Sequence, residues 1–351
     1  MKILINVPSF KVLGGVSNHF IGLKPFWSEN VKYNVVGKRS MKKGNGIFWL
    51  PLDIIVFLLK LIIFRPNIVL LNPSLNRNAI VRDFIFLQIS TFFHFNTAIM
   101  VHGFDWDYAN KTDWKWLSKN FNRAILIFVL AKSFKAFMEN KGVTTPIHLT
   151  TTKVDDRLIS DFDINCRDGK INNILFLARI EKAKGIYITI DTFNLLKRKY
   201  PYLKLSIIGD GTELENVKKY IKSSNIPDIR ITGALYGNDL IKELKAAQLS
   251  FSPSYYGEGM PTAVLETMAF GMPVFTRNVG GLPDFFENGE MGCITDSLAP
   301  NDYAAAMIPF LENAEYTKKV SRFNYEYARK HFMASRVATL LEKELRIITN
   351  K

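Results

Sequence analysis

The stretch Leu249–Arg277, LSFSPSYYGEGMPTAVLETMAFGMPVFTR, contains a strand, a loop, a helix and a second strand in direct succession. Its helix is marked at both ends, since Pro261 suits a first helical turn and Gly271, with Pro273 just beyond it, suits a helix end. The short apolar runs on either side, LSFS and VFTR, are typical of strands. The stretch therefore predicts one strand–helix–strand unit of an α/β fold.

The alternation of strands and helices continues on both sides of this unit. Further strands are predicted at residues 3–7, 31–36, 68–71, 98–101, 124–129, 174–177, 203–208 and 229–232, with helical segments between them. Residues 155–170, DDRLISDFDINCRDGK, are polar and aperiodic and separate two series of elements. The predicted fold class is α/β with two doubly wound parallel sheets, in an N-terminal domain over 1–165 and a C-terminal domain over 166–328, followed by a last helix over 329–351.

Length and composition exclude several classes of protein. The chain has 351 residues, 48% of them hydrophobic and 22% charged, so it is long enough for two domains and unlike disordered proteins. Cys166 and Cys293 are its two cysteines, which excludes a disulfide framework or a cysteine-based zinc site and favours a reducing compartment. Residues 1–10 have the pattern of a strand and not of a secretion signal, so we expect the mature chain to begin there and to be cytoplasmic.

The positive charge is concentrated in one half of the chain. Residues 1–150 contain 19 Lys or Arg against 7 Asp or Glu, a net charge of +12, whereas residues 151–351 contain 27 against 25, a net charge of +2. A field this uneven attracts an anionic partner, and we expect an anionic membrane surface. Nucleic acid also suits the charge, but no basic run interleaved with aromatic residues and no reader motif is visible. A solvated surface is the third interpretation.

Residues 47–64, IFWLPLDIIVFLLKLIIF, approach the length of a membrane span. Asp53 and Lys60 would each cost roughly 2.5 to 3.5 kcal/mol at the centre of a bilayer, and Pro51 interrupts the segment. We therefore predict a buried helix that leads into the strand at 68–71. An exposed part of this helix would add an apolar patch to a basic domain, as in proteins that lie on a membrane without crossing it.

Four side chains have the chemistry to hold a nucleotide sugar. Glu258 and Glu266 flank the start of the predicted helix near Pro261, where free N–H groups and the helix dipole favour an anion. A carboxylate beside a phosphate is costly unless hydroxyl groups donate to it, so both glutamates are interpreted as sugar ligands. Arg179 and Lys184 follow a predicted strand, where ligands of open α/β sheets bind, and are predicted to clamp a diphosphate. The alternative is that these charged side chains lie on a solvated surface and bind no ligand.

Several short blocks along most of the chain together resemble a known family. They are LGGVSNH, HGFD, LARIEKAKG, IIGDGTELE, ITGALYG, SPSYYGEGMPTAVLE, AFGMPVFTRNVGG and NGEMG. Through them the chain is similar to the family-four retaining glycosyltransferases, which use nucleotide sugars and have the GT-B fold. The resemblance implies two Rossmann-like domains facing a cleft, the nucleotide sugar in the C-terminal domain, and a last helix that crosses back to the N-terminal domain.

The resemblance also implies roles for individual residues. Those that would bind the nucleotide sugar are Arg179 and Lys184 for the diphosphate, Glu266 for the ribose, and Glu258 with the backbone of Gly259, Met260 and Pro261 for the sugar. Those expected from the N-terminal domain are Gly14 and Gly15, in a loop that approaches the phosphates, and His102, near the reacting sugar. Glu258, His102, Arg179 and Lys184 are the predicted catalytic residues.

Other positions depart from the pattern or are interpreted as structural. Thr152 and Lys153 stand where many relatives carry an Asn-Gly turn before Val-Asp. His19 and His94 are expected to be structural. Leu214 occupies the third glycine position of the dinucleotide fingerprint, which excludes a nicotinamide cofactor.

No metal is expected in the reaction, and the nucleoside diphosphate sugar serves as co-substrate. Asp105–Asp107 and Asp161–Asp163 have the Asp-x-Asp form of a divalent-ion site. The two cations and the helix N-terminus already offset the charge of a diphosphate, however, and the resembling family generally needs no metal. Asp105 is interpreted either as a contact to the acceptor or as a loop cap.

The predicted reaction transfers a sugar from a nucleoside diphosphate sugar to an acceptor hydroxyl with retention of configuration, by front-face attack. The basic half suggests a lipid-linked or surface-polysaccharide acceptor, of the capsule, O-antigen or exopolysaccharide type. It also suggests an enzyme peripheral on the inner face of the cytoplasmic membrane, with no nucleic acid partner. The alternatives are a GT-B phosphorylase or nucleotide-sugar epimerase, an inactive binding homologue, and a basic nucleic-acid-binding protein.

Overall fold

The computed structural model describes residues 1–11, 14–37 and 46–349, and the chain divides into two compact units. The first unit comprises Met1–Lys153, Gly257–Met260 and Ala334–Lys351, and the second comprises Val154–Tyr256 and Pro261–Met333. The domain boundaries after residues 165 and 328 stay predictions.

The first unit is built on a six-stranded parallel sheet in its described residues. The strands are β1 (Lys2–Pro8), β2 (Asn30–Val36), β3 (Ile68–Leu71), β4 (Thr97–Val101), β5 (Leu126–Val129) and β6 (Ile147–Leu149), in the order β2-β1-β3-β4-β5-β6. The helices are α1 (Gly15–Leu23), α2 (Leu50–Phe64), α3 (Arg77–Phe92), α4 (Trp106–Lys111), α5 (Trp114–Phe121) and α6 (Lys132–Asn140). All four residues of β3 are buried, as expected for a central parallel strand with helices over both faces.

The second unit is built on another six-stranded parallel sheet. The strands are β7 (Asn173–Leu177), β8 (Lys204–Ile208), β9 (Ile229–Gly233), β10 (Leu249–Ser252), β11 (Val274–Arg277) and β12 (Gly292–Thr295), in the order β12-β11-β10-β7-β8-β9. The helices are α7 (Ile186–Lys199), α8 (Leu214–Ser223), α9 (Gly237–Ala246), α10 (Thr262–Ala269), α11 (Pro300–Glu312) and α12 (Ala314–His331). The strand order reverses between β7 and β10, and in the first sheet between β1 and β3. Such reversals are the places where open α/β sheets bind ligands.

The last helix, α13 (Ala334–Thr349), belongs to the first unit and packs against α1. Its apolar face, which includes Val337, Leu341 and Leu345, is buried. On the same helix the Glu342 carboxylate accepts hydrogen bonds from the backbone N–H groups of Ser28 and Glu29, at 2.8 and 2.9 Å. The helix α13 is thereby fixed to the rest of the first unit by both apolar and polar contacts.

The predicted α/β fold with two doubly wound sheets is confirmed, although two of the described strands and two of the described α-helices were not predicted. Two of them, β6 and β12, are three and four residues long, which is too short for a periodic pattern. The other two, α4 and α5, begin at aspartate caps. The Asp105 carboxylate accepts from the backbone N–H of Tyr108 at 3.0 Å, and that of Asp113 accepts from Lys115 at 2.9 Å.

The expectation that the apolar segment at 47–64 forms a buried helix is wrong for one face of that helix. On the inner face of α2, Phe57 and Leu61 are buried. The outer face exposes large apolar side chains, with exposed fractions of 47% for Leu52, 55% for Ile55, 50% for Leu59, 65% for Ile62 and 76% for Ile63. No helix in the described residues combines the length and the apolar composition needed to cross a membrane.

A buried arginine ties the start of the second unit to its core. The Arg167 guanidinium donates to the backbone carbonyl oxygens of Phe270 at 3.0 Å and Leu244 at 3.1 Å, and also to those of Lys245 and Ala247. Burial lowers the pKa of this guanidinium to about 10, so it stays charged at neutral pH. One side chain therefore satisfies acceptors at the ends of two helices, α9 and α10.

We expect Arg167→Met to lower the free energy of unfolding of the second unit by at least about 2 kcal/mol, because buried carbonyl groups lose their donor. Urea unfolding followed by circular dichroism measures this loss. Arg198→Met, at an exposed position of α7, is the matched control and should change the stability by no more than about 0.5 kcal/mol. Equal effects of the two substitutions would contradict an anchoring role for Arg167.

Candidate functional site

The reversal of strand order in the second unit brings two loops together. Arg179 lies two residues after β7, and Tyr256 lies four residues after β10. Because β7 and β10 are adjacent and parallel, both loops leave the same edge of the sheet. The Arg179 guanidinium carbon is 5.5 Å from the centre of the Tyr256 ring.

Lys184 reaches the same aromatic ring from the end of a 3-10 turn, Lys182–Lys184. Its ammonium nitrogen lies 4.2 Å from the centre of the Tyr256 ring, and the side chain is buried. Each such contact is worth about 0.5 to 2 kcal/mol, depending on how far the cation is desolvated. Arg179 is more exposed and also forms an ion pair of 2.6 Å with Glu181. The two predicted diphosphate ligands are therefore brought together by a tyrosine that the sequence analysis did not single out.

The loop that carries Lys184 depends on a glycine. Gly185 has a φ of +78°, which favours glycine, and a Cβ at this position would lie 2.3 Å from the carbonyl oxygen of Pro253. The loop after β8 approaches in the same way, since a Cβ on Gly209 would lie 1.9 Å from the carbonyl oxygen of Ala178. Backbone from three neighbouring strands is thus packed tightly around Arg179 and Lys184.

The predicted glutamate pair is divided between the two units. Pro261 is the residue before the first turn of α10, and Glu266 lies half-buried within that helix in the second unit. Glu258 is also half-buried, but it belongs with Gly259 and Met260 to the segment that clusters with the first unit.

In the first unit His102 follows β4 and is buried. The amide nitrogen of Asn72 donates to the carbonyl oxygens of Asn6 at 2.8 Å and Leu70 at 3.3 Å, which turns the amide oxygen of Asn72 toward His102. That oxygen lies 3.1 Å from His102 Nε2, so Nε2 carries the proton and Nδ1 is the acceptor nitrogen. Burial lowers the pKa of His102 to about 3, so the ring is neutral at physiological pH.

Gly259 packs directly on His102. A Cβ at Gly259 would lie 2.1 Å from the carbonyl oxygen of His102 and 2.9 Å from a methyl carbon of Leu130. The next residue, Met260, accepts a hydrogen bond of 3.4 Å from the Thr152 hydroxyl through its carbonyl oxygen. The structure therefore brings His102, Gly259 and Met260 of the predicted set together.

His19, which the sequence analysis interpreted as structural, lies beside His102. The two ring centres are 5.1 Å apart, and neither ring nitrogen of His19 has a hydrogen-bond partner among the described residues. Burial, His102 and the charge of Lys153 hold the pKa of His19 well below its usual range. His19 is an isolated histidine in the sequence of α1, so nothing in that sequence predicts its contact with His102.

The two predicted loop glycines have little around them. Gly14 is exposed, with extended backbone before α1, and a Cβ on Gly15 would meet no described atom within 4 Å. Their proposed approach to phosphates stays a prediction.

The Asp-x-Asp patterns are used for local backbone contacts. Asp105 caps α4, and the Asp163 carboxylate accepts from the backbone N–H of Asn165 at 3.0 Å. In the described part of the chain, no cluster of three or more His, Cys, Asp or Glu has the arrangement of a metal site. The loop-cap interpretation of Asp105 is the one that this geometry supports.

Comparisons with known proteins agree with the arrangement of the second unit. Residues 160–330 match the family model described as glycosyl transferases group 1. Over 170 residues the chain is 30% identical to glycogen synthase of Mycobacterium tuberculosis, covering 47% of this chain and 40% of that protein. Over 176 residues it is 26% identical to D-inositol 3-phosphate glycosyltransferase of Paenarthrobacter aurescens, covering 48% and 43%. The chain matches less than half the length of these curated relatives.

Solved structures are similar over nearly the whole chain. Anabaena Alr3699/HepE in complex with UDP superposes with a TM-score of 0.79 at 17% identity, covering 99% of this chain and 100% of that one. Sucrose-phosphate synthase from Thermosynechococcus elongatus gives a TM-score of 0.76 at 15% identity, covering 99% and 98%. At these identities the similarity shows the fold, and the predicted GT-B fold is confirmed.

The match of residues 160–330 to the group 1 glycosyl transferase model agrees with the family resemblance inferred from the sequence for that part of the chain. The individual roles predicted for the site residues stay predictions.

The neutral His102 gives the first unit a defined pH dependence. Its folded-state pKa of about 3 lies below the ordinary value of 6.5, so the unfolded chain binds the proton first and stability falls as the pH drops below 6.5. At pH 5 this difference amounts to about 2 kcal/mol from His102. Urea unfolding at pH 7 and pH 5 should show a smaller loss in His102→Gln than in the wild type. Equal losses in both proteins would mean that His102 is not held neutral.

Proposed function

We propose that this protein is a retaining glycosyltransferase that moves a sugar from a nucleoside diphosphate sugar to an acceptor hydroxyl. The observation that carries the proposal is the pair of cations, Arg179 and Lys184, held on the Tyr256 ring where the strand order reverses. The group 1 family match over residues 160–330 supports it. Further support comes from the similar fold of Alr3699/HepE, whose structure contains UDP.

The two cations suit the departure of a nucleoside diphosphate. When the bond between the sugar C1 and the phosphate oxygen breaks, negative charge grows on the diphosphate. Fixed positive charges that need no reorganisation stabilise this charge in the transition state. Lys184 is buried, so its charge acts at lower effective dielectric than that of the exposed Arg179. Glu266 is assigned to the ribose hydroxyls, and the diphosphate charge is offset without a metal ion.

Retention follows from attack on the same face that the diphosphate leaves. The acceptor oxygen forms its bond to C1 as the phosphate oxygen departs, and that phosphate oxygen takes the acceptor proton. His102 is neutral and its Nε2–H is already donated to Asn72, so it positions the sugar through Nδ1 and does not serve as the acid. Glu258 is assigned to orienting the donor sugar.

We expect Lys184→Ala to bind UDP at least about tenfold more weakly than the wild type, because one cation is lost from the diphosphate. Isothermal titration calorimetry measures the affinity. Lys182→Ala is the matched control, since Lys182 lies on the same turn but is exposed and has no contact with the Tyr256 ring among the described contacts. Equal affinities of the two variants for UDP would contradict the proposal that Lys184 binds the diphosphate.

The reaction itself is tested with a panel of nucleoside diphosphate sugars and lipid-linked acceptors, with the product configuration determined by NMR. Retained configuration in the wild type and no transfer in Glu258→Ala are expected. An inverted product would contradict front-face attack. Products that require inorganic phosphate, or an epimerised donor without acceptor, would identify a phosphorylase or an epimerase instead.

We further propose that the acceptor is membrane-borne and that the protein is peripheral on the cytoplasmic face of an anionic membrane. The outer face of α2 is defined by Leu52, Ile55, Leu59, Ile62 and Ile63. The first four follow one another at intervals of three and four residues, Ile63 lies four residues after Leu59, and together they form one exposed apolar stripe. A stripe of this kind lies at the boundary between headgroups and acyl chains.

Basic residues near the outer face of α2 favour an anionic lipid surface as its binding partner. Lys32 and Lys2 place their ammonium nitrogens 4.7 and 5.7 Å from the centre of the Phe64 ring at the C-terminal end of α2, and Arg65 follows exposed. Residues 1–150 carry a net charge of +12. Each basic residue near an anionic surface contributes about 1 kcal/mol.

We expect Ile62→Ser/Ile63→Ser to bind vesicles of phosphatidylglycerol and phosphatidylcholine at least about tenfold more weakly than the wild type, because two exposed apolar side chains are lost. Flotation assays measure the bound fraction, which should also fall in 1 M salt. Leu340→Ser/Ile347→Ser, two exposed apolar positions on α13 of the same unit, is the matched control and should bind as the wild type does. Vesicle binding by the α2 variant equal to that of the wild type would exclude the membrane as the partner of this face. Self-association of the wild type that only the α2 variant loses would exclude it as well.

A further inference from the structure

Glu181 forms an ion pair with Arg179, one of the two cations assigned to the donor diphosphate. The distance from Arg179 Nη1 to Glu181 Oε1 is 2.6 Å. Glu181 directly precedes the 3-10 turn Lys182–Lys184, a position where a side-chain oxygen commonly caps the first backbone N–H groups, but its side chain forms no such cap. The Glu181 carboxylate is therefore directed to the cation and not to the backbone.

The backbone on either side of this ion pair is fixed by contacts of its own. Ile180, between the two charged residues, is buried, and its N–H donates to the carbonyl oxygen of Asp210 at 3.0 Å. The carbonyl oxygen of Ile180 accepts from the N–H of Glu213 at 3.0 Å, and that of Glu181 accepts from the N–H of Lys184 at 3.0 Å. The two side chains can therefore separate without a movement of the loop.

Arg179 has a second contact, with an aromatic ring. Its guanidinium carbon lies 5.5 Å from the centre of the Tyr256 ring. The loop of this ring is tied to the turn before α7, because the N–H of Tyr255 donates to the carbonyl oxygen of Ala183 at 2.9 Å. The N–H of Tyr256 itself donates to Ser254 Oγ at 3.3 Å. The ring therefore holds the guanidinium near the end of β7 when the anion paired with it is exchanged.

The ion pair itself is accessible to solvent. The side chain of Arg179 is 57% exposed and that of Glu181 is 24% exposed. Exposed ion pairs contribute little to stability, because water and salt screen the charges and two side chains have to be ordered. A diphosphate carries more negative charge than a single carboxylate and binds a guanidinium through parallel hydrogen bonds. It is therefore the stronger of the two anions for Arg179.

We propose that Glu181 competes with the diphosphate for Arg179 and so weakens the binding of both the donor and the nucleoside diphosphate product. This inference rests on the proposed function, in which Arg179 binds the diphosphate. A carboxylate that stayed on Arg179 would lie beside the phosphate oxygens, which is costly for two anions. Diphosphate binding therefore exchanges the Glu181–Arg179 pair for a contact between Arg179 and phosphate. Because the pair forms again as the product leaves, it favours product release.

The alternative is that Glu181 positions Arg179 for the diphosphate. The two roles predict opposite results for Glu181→Gln, which keeps the size of the side chain and removes its charge. Without the charge of a competitor, Arg179 is left to the ligand and the affinity rises. Without the charge of a positioning residue, the guanidinium is less well fixed and the affinity falls.

The test measures the binding of UDP and of inorganic pyrophosphate to the full chain by isothermal titration calorimetry. We expect Glu181→Gln to bind both ligands at least about threefold more tightly than the wild type, in keeping with the loss of one exposed ion pair. Glu215→Gln is the matched control. Glu215 forms an ion pair of 2.7 Å with Lys218 on α8 of the same unit, and its replacement should leave both affinities unchanged.

A double-mutant cycle assigns the effect to Arg179. In an Arg179→Met background, Glu181→Gln should change the affinity for UDP by less than about twofold, because the guanidinium for which the two anions compete has been removed. A threefold gain that persists in this background would mean general repulsion between Glu181 and the ligand, and would overturn the proposal.

An affinity of Glu181→Gln for UDP equal to that of the wild type would also overturn the proposal, and a lower affinity would assign a positioning role to Glu181. Failure of the proposed function is distinguishable, since it would appear as a wild type that transfers no sugar from any nucleoside diphosphate sugar. The pyrophosphate affinities of the wild type and of Glu181→Gln are compared without any transfer.

Discussion

The candidate site of the second unit depends on the packing of two adjacent parallel strands, β7 and β10. The loops at their carboxyl ends carry the cations and the aromatic ring that contact one another. The loop after β7 supplies two cations, and the loop after β10 supplies the aromatic ring on which both lie. Lys184 is held in a buried position by this ring and by the close approach of Gly185 to the Pro253 carbonyl oxygen. A desolvated, fixed cation stabilises the negative charge of a leaving diphosphate. The order of the strands therefore places the cations that the proposed chemistry uses.

The first unit uses burial in a different way. His19 and His102 are kept neutral by desolvation, and the hydrogen bond to Asn72 selects the tautomer of His102. The site they form is polar without being charged, apart from Lys153. The unit is also strongly basic and exposes the apolar face of α2. The basic charge and the exposed apolar face are the properties on which the proposed membrane-borne acceptor rests.

Much of the fold was predictable because its signals are local. The apolar runs and the Pro261 and Gly271 markers predict most strands and helices within a few residues. Short elements such as β6 lack a period, and α4 and α5 begin at aspartates whose capping role depends on the following backbone. The burial of α2 was predicted wrongly for its outer face, because composition alone does not say which neighbours cover a helix.

The sequence by itself determined the α/β class, the marked helix α10 and the placement of Arg179 and Lys184 after a strand, since each follows from residues close together in the chain. The tertiary structure decided that Tyr256 joins these two cations, that His19 lies beside His102, and that Lys153 is buried against Gly22. Such neighbours are far apart in the chain, and they meet because strand order and helix packing fix which loops share an edge of each sheet.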